Sequence, residues 1–125
     1  MIYLASPYSS DSKDIEAARY RAVAGYIAMQ YRLGLKMYSP IVACHHLSLE
    51  HQLPGDAKWW EAFNHDMLKR CDALWVLCLP GWEESRGVKK EIEYAESSGV
   101  PINYIADTDG DDPEGKEIQA PLLGP

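Results

Sequence analysis

Apolar and polar positions fall into two patterns along the chain: short apolar runs, and longer stretches with a helical period. Ile2 to Ala5 is a short apolar run closed by Ser6-Pro7, which predicts a buried strand followed by a turn. Asp11 or Ser12 can cap a helix, and Ile15, Ala18, Ala22, Tyr26, Met29 and Leu33 recur three and four residues apart along it, until Gly34 stops it. Leu35 to Ser39 predicts a second strand, broken by Pro40. Residues 40–57 show no period and are expected to form a polar, histidine-bearing loop. A second helix is expected from about Ala57 to Cys71, because Trp60, Phe63, Met67, Leu68 and Cys71 share a face. Ala73 to Leu79 is almost continuously apolar, the pattern of a strand covered on both sides. Pro80-Gly81 ends it. A third helix starts near Ser85 and stops before Gly99, and Pro101 to Ile105 predicts a last strand.

Strands alternating with helices predict an α/β sandwich with a parallel sheet of four to five strands. The regular pattern spans residues 1–106, one domain; residues 107–125 form an acidic, Gly- and Pro-rich tail whose Ile118 and Leu122-Leu123 can dock on a neighbouring surface. In such sheets ligands sit beyond the carboxyl ends of the strands. Those ends are Ser6 to Ser10, Ser39 to His46 and Pro80 to Ser85.

Composition narrows the partners. The 125 residues are 46% hydrophobic, enough for one core, and carry a formal net charge of -7. Acidic chains lack the basic surface that displaces counterions from polymeric nucleic acid, so no such partner is expected. A small anion remains compatible, because a helix N-terminus binds it regardless of net charge. Three cysteines without a CxxC pair fit free thiols in a reducing compartment. No apolar run approaches membrane-spanning length and the first residues carry no basic segment, so a cytoplasmic protein without a membrane partner is expected.

The candidate chemistry gathers at the strand ends. Ser85 opens a helix, where free backbone N–H groups bind anions; it reads either as a simple N-cap or as an additional donor, and Gly87 would let a ligand approach the backbone. Gly81 and Trp82 lie between the strand and that helix, and Trp82 can be core or can stack on a base. Glu91 shares a face with Val88, Ile92 and Ala95. A carboxylate there is either half-exposed or partly buried with a raised pKa, which suits a nucleophile or proton carrier. Ser6, Tyr8, Ser9 and Ser10 offer hydroxyls to a sugar or phosphate, or simply form a turn. Tyr3 is either core or a hydroxyl aimed at a carboxylate. Asn64 falls on the apolar face of the second helix, whereas Asp66 lies about 200° further round, so the two do not serve one site. Asp72 is a candidate ligand group or a turn residue before the buried strand. Cys44-His45-His46 with His51 raises a zinc reading, but the spacing matches no closed site; His45 reads better beside a sugar, and no metal is expected.

Three segments then carry a resemblance. Ile2-Tyr3-Leu4-Ala5-Ser6-Pro7-Tyr8 resembles the first-strand motif of nucleoside 2-deoxyribosyltransferases, and Ser85 through Ala95 resembles their glutamate helix. Its Ser-x-Gly-Val-x-x-Glu form is similar to that of the deoxynucleoside-monophosphate N-glycosidases. Cys71 to Val76 matches the strand before it, and Leu79-Pro80-Gly81-Trp82-Glu83-Glu84-Ser85 is similar to a small bacterial and phage branch of the superfamily. The resemblance implies a flavodoxin-like three-layer sandwich that cleaves an N-glycosidic bond without a cofactor. It implies that Glu91 attacks the anomeric carbon, that Tyr3 orients it, that Ser85 takes a 5′-phosphate, and that the chain assembles as a dimer or tetramer. The family aspartate on the second helix, which would handle the base or a sugar hydroxyl, lies eight residues before Asp72; here that position is Asn64, and either Asn64 fills the catalytic site or a local helix shift lets Asp66, two residues late, substitute. The glycine-rich phosphate loop is also missing; Ser9, Ser10 and Arg19 stand in its place. Asparagine cannot act as a general acid, which keeps open a second reading: a nucleotide-binding sensor or partner module that has lost catalysis.

Overall fold

A computed structural model describes residues 1–51, 53 and 57–107. The order of elements is β1 (Ile2–Ala5), α1 (Lys13–Arg32), β2 (Met37–Tyr38), α2 (Pro40–Glu50), α3 (Ala57–Lys69), β3 (Ala73–Cys78), a 3₁₀ turn (Trp82–Glu84), α4 (Arg86–Ser98) and β4 (Ile102–Ala106). The strands pair in the order β2-β1-β3-β4, all parallel. This is the beginning of the flavodoxin-like doubly wound order, with its switch point between β1 and β3.

Strand alternation assigns each side chain to a layer. Ile2 and Leu4 of β1, with Trp75 and Leu77 of β3, face a core completed by Val23, Tyr26 and Ile27 of α1. Tyr3 and Ala5, with Leu74 and Val76, face the opposite core, completed by Leu68 of α3 and by Val88 and Ala95 of α4. β3 is covered on both faces, as its unbroken apolar run predicts. The result is three layers, helix–sheet–helix.

Several sequence expectations are corrected. Residues 40–50 are the helix α2, not loop: Ser39 is its N-cap, accepting the Val42 N–H at 3.2 Å, with Pro40 at the first helical position. A serine followed by proline starts a helix here rather than simply breaking a strand. The second strand is correspondingly short, Met37–Tyr38, because Ser39 already belongs to the cap.

The buried face of α1 is Val23, Tyr26, Ile27 and Gln30. Of the expected stripe only Tyr26 belongs to it; Ile15 is 46% and Leu33 64% exposed. A 20-residue helix is about 30 Å long, whereas the longest strand has six residues, about 20 Å, so the ends of α1 overhang the sheet. On α3, Leu68 is buried, but Trp59 and Phe63 are exposed and stack on each other, with ring centroids 5.7 Å apart. The tail positions Ile118, Leu122 and Leu123 lie outside the described residues.

Candidate active site

Above the carboxyl ends of β1 and β3 lies a cleft of about 1000 Å³, lined from all three strand-end segments and from α3. That volume suits a nucleotide-sized ligand. It has two walls: Glu91, Lys90, Ser85 and Asn64 come from the α3–α4 layer, and Tyr8, Arg19, Cys44 and His45 from the α1–α2 layer.

Glu91 borders the cleft although its residue surface is only 7% exposed. It lies one turn after Val88 and one turn before Ala95, on the face of α4 that closes the core. Tyr3, pointing from β1 into the same layer, donates its hydroxyl to Glu91 Oε2. Burial pushes the Glu91 carboxyl up to about 7, and the Tyr3 hydrogen bond opposes that rise. Burial, together with the neighbouring carboxyl, holds the Tyr3 phenol well above its ordinary value. The pair is therefore a poorly solvated carboxyl group with one fixed donor, at the border of the cleft.

α4 begins beside it. Ser85 Oγ caps the helix, accepting the Val88 N–H at 3.2 Å, so the N-cap reading holds; its hydroxyl hydrogen remains available to a ligand. The first helical N–H groups, at Arg86 and Gly87, have no carbonyl within the helix to bond. A side chain at Gly87 would meet nothing nearer than Ser85 Oγ at 4.0 Å, so the glycine leaves this approach open. Arg86 and Lys90 line the same end and add positive charge, a feature the sequence reading missed although Lys90 follows Arg86 by one helical turn.

Arg19 ties the two strand-end loops together. It donates to Tyr8 O at 3.3 Å and Ser9 O at 2.9 Å after β1, and to Pro80 O at 3.3 Å after β3. Gly81 has φ 92°, so the backbone favours glycine, and a Cβ there would stand 2.6 Å from an Arg19 nitrogen and push that guanidinium aside.

Three buried polar atoms around the cleft lack a partner: Ser6 Oγ, Asn64 Oδ1 and His65 Nε2. Buried groups of this kind are normally bonded, and at the cleft water or a ligand can complete them. His65 was not anticipated; its ring stacks on Tyr94 with centroids 4.4 Å apart. His45 is buried, hydrogen-bonded through Nδ1 to the Tyr8 hydroxyl and stacked on Tyr20 at 4.4 Å. His46 is exposed, and among the described residues no group of three or more His, Cys, Asp or Glu could hold a metal ion.

Not every candidate reaches the cleft. Asp66 is exposed and pairs at 3.5 Å with Arg70, just past the end of α3, while Asn64 lines the cavity. Asp72 lies at the amino end of β3, bonded at 2.8 Å to the Met1 ammonium, which holds its carboxyl below the usual range. Ser10 accepts the Ser12 N–H and supports the start of α1. Trp82 packs beside Tyr104 of β4, centroids 5.7 Å apart, and does not line the cleft.

Fold and site together define the class: a doubly wound α/β domain with a buried carboxylate in a nucleotide-sized cleft at its switch point. The family described as a domain of unknown function, DUF1937, matches residues 1–107, and the chain belongs to that family. No curated protein matches the chain. Among the described residues, no helix is long and apolar enough to cross a membrane.

Proposed function

We propose that this protein cleaves the N-glycosidic bond of a nucleoside or nucleoside 5′-monophosphate, as an N-glycosidase or a deoxyribosyltransferase. The observation that carries the reading is the Tyr3–Glu91 pair: a carboxylate buried against a phenol donor yet open to a cleft. Glu91 attacks the anomeric carbon, the base leaves with the bond electrons, and the sugar stays on Glu91 until water or a second base accepts it. A 5′-phosphate fits the start of α4, where Ser85, the Arg86 and Gly87 amides and Lys90 converge. The resemblance of the two motif segments to nucleoside 2-deoxyribosyltransferases supports the same reading. Cytoplasmic residence and assembly into a dimer or tetramer belong to the proposal, with the exposed Trp59–Phe63 pair as apolar surface for assembly.

The test is incubation of wild type and Glu91→Ala with nucleosides and their monophosphates, with and without a free acceptor base, followed by chromatography. Free base from wild type alone supports hydrolysis, and base exchange supports transfer. Equal turnover by both proteins overturns the role of Glu91.

Asn64 favours a second reading, a nucleotide-binding module without catalysis. Its Oδ1 is buried at the cleft and unpartnered, so it can recognise a ligand but cannot titrate. Thermal stabilisation by a nucleotide with no turnover selects that reading.

A further inference from the structure

A two-step glycosyl transfer through Glu91 has a stereochemical demand that points across the cleft. Glu91 attacks one face of the sugar and the base departs from the opposite face. The acceptor must then enter from that opposite face, where a group that removes its proton has to wait. This inference rests on the reading just proposed. The wall facing the α3–α4 layer offers few groups for that task. Arg19 carries only donors and is engaged with three carbonyls. Burial pushes the Cys44 thiol and the Tyr8 phenol up, away from neutral titration. His45 remains.

We propose that His45, held by Tyr8 and Tyr20, is the general base that activates water against the glycosyl–Glu91 intermediate. Its ring is fixed on two sides, by the stack on Tyr20 at 4.4 Å and by the hydrogen bond between Nδ1 and the Tyr8 hydroxyl. Tyr8 is itself fixed through its carbonyl to Arg19. In the tautomer that donates Nδ1–H to Tyr8 Oη, Nε2 keeps its lone pair. Burial and the neighbouring His46 lower the imidazole pKa, partly offset by Glu16, so the neutral form prevails at pH 7. In the step itself water oxygen bonds to the anomeric carbon and its proton passes to His45 Nε2. The bond from that carbon to Glu91 breaks with its electrons returning to the carboxylate. Tyr8 Oη accepts from Nδ1–H throughout and steadies the imidazolium.

The experiment is rapid-quench kinetics of base release, with intact-protein mass, on whichever of the four 2′-deoxynucleosides or their 5′-monophosphates wild type cleaves best. In His45→Ala we expect a burst of about one base per site followed by steady turnover reduced about 100-fold. A sugar or sugar-phosphate adduct on the protein should accumulate in that variant. Added imidazole should restore steady turnover and leave the burst unchanged. A variant that loses burst and turnover together, without rescue, overturns the role of His45 while leaving Glu91 catalysis standing. Wild type that releases no base from any of the four 2′-deoxynucleosides or their 5′-monophosphates overturns both readings.

Discussion

At Glu91, burial and one hydroxyl act in opposite directions on a single proton. The folded carboxyl titrates at about 7 against an ordinary value of 4.5. Between those values the native state keeps a proton the unfolded chain has released, so stability falls as pH rises through that window and the loss is complete above it. The difference amounts to about 3 kcal/mol, at about 1.4 kcal/mol per pH unit. Glu91→Gln should therefore be more stable than wild type at pH 8 by up to that amount and nearly equal at pH 4, by urea unfolding at each pH. Identical pH dependence in the two proteins would contradict the burial argument. Tyr3→Phe removes the donor that opposes the rise, so the acidic limb of the pH–rate profile should move to higher pH. Along α3, Asn64→Ala should reduce turnover or nucleotide affinity far more than Asp66→Ala, because only Asn64 lines the cleft. Helix periodicity in the sequence set Asn64 and Glu91 on inward faces, whereas it left Tyr3 open between core and a hydroxyl aimed at a carboxylate. It did not reveal His65 or Lys90, since their lining of the cleft depends on how α3 and α4 pack.

Among the elements, α4 joins stability and ligand binding at one cap. Ser85→Ala removes the acceptor for the Val88 N–H and should cost about 1 kcal/mol in chemical denaturation, while also weakening nucleotide affinity. A loss of stability with unchanged affinity would reduce Ser85 to a cap alone. α4 was legible in the sequence because its cap, its apolar face and its αL stop at Gly99 agree. α2 was not, because its exposed Leu47 and Leu49 and buried His45 invert the usual pattern and erase the period. α1 was legible as a helix but not in phase: contact with a shorter sheet selects Val23 and Ile27 over Ile15 and Leu33.

Over the whole molecule, Arg19 couples loops that follow different strands. Gly81→Ala forces a Cβ against that guanidinium at positive φ, and should cost about 1–2 kcal/mol of stability from the backbone conformation alone. Thermal unfolding compared with Arg19→Ala checks whether the two positions are coupled rather than additive. What the sequence by itself determined was local: an alternation of strands and helices, a strand covered on both faces, and a glutamate on the apolar side of a capped helix. Each rests on periodicity or on residues adjacent in the chain. Only the tertiary structure decided which side chains meet. Tyr3 and Glu91 stand 88 positions apart, Tyr8 and His45 37, and Arg19 and Pro80 61. Contacts at such separations follow from strand order and layer assignment, which bring the ends of β1 and β3 together beneath one cleft.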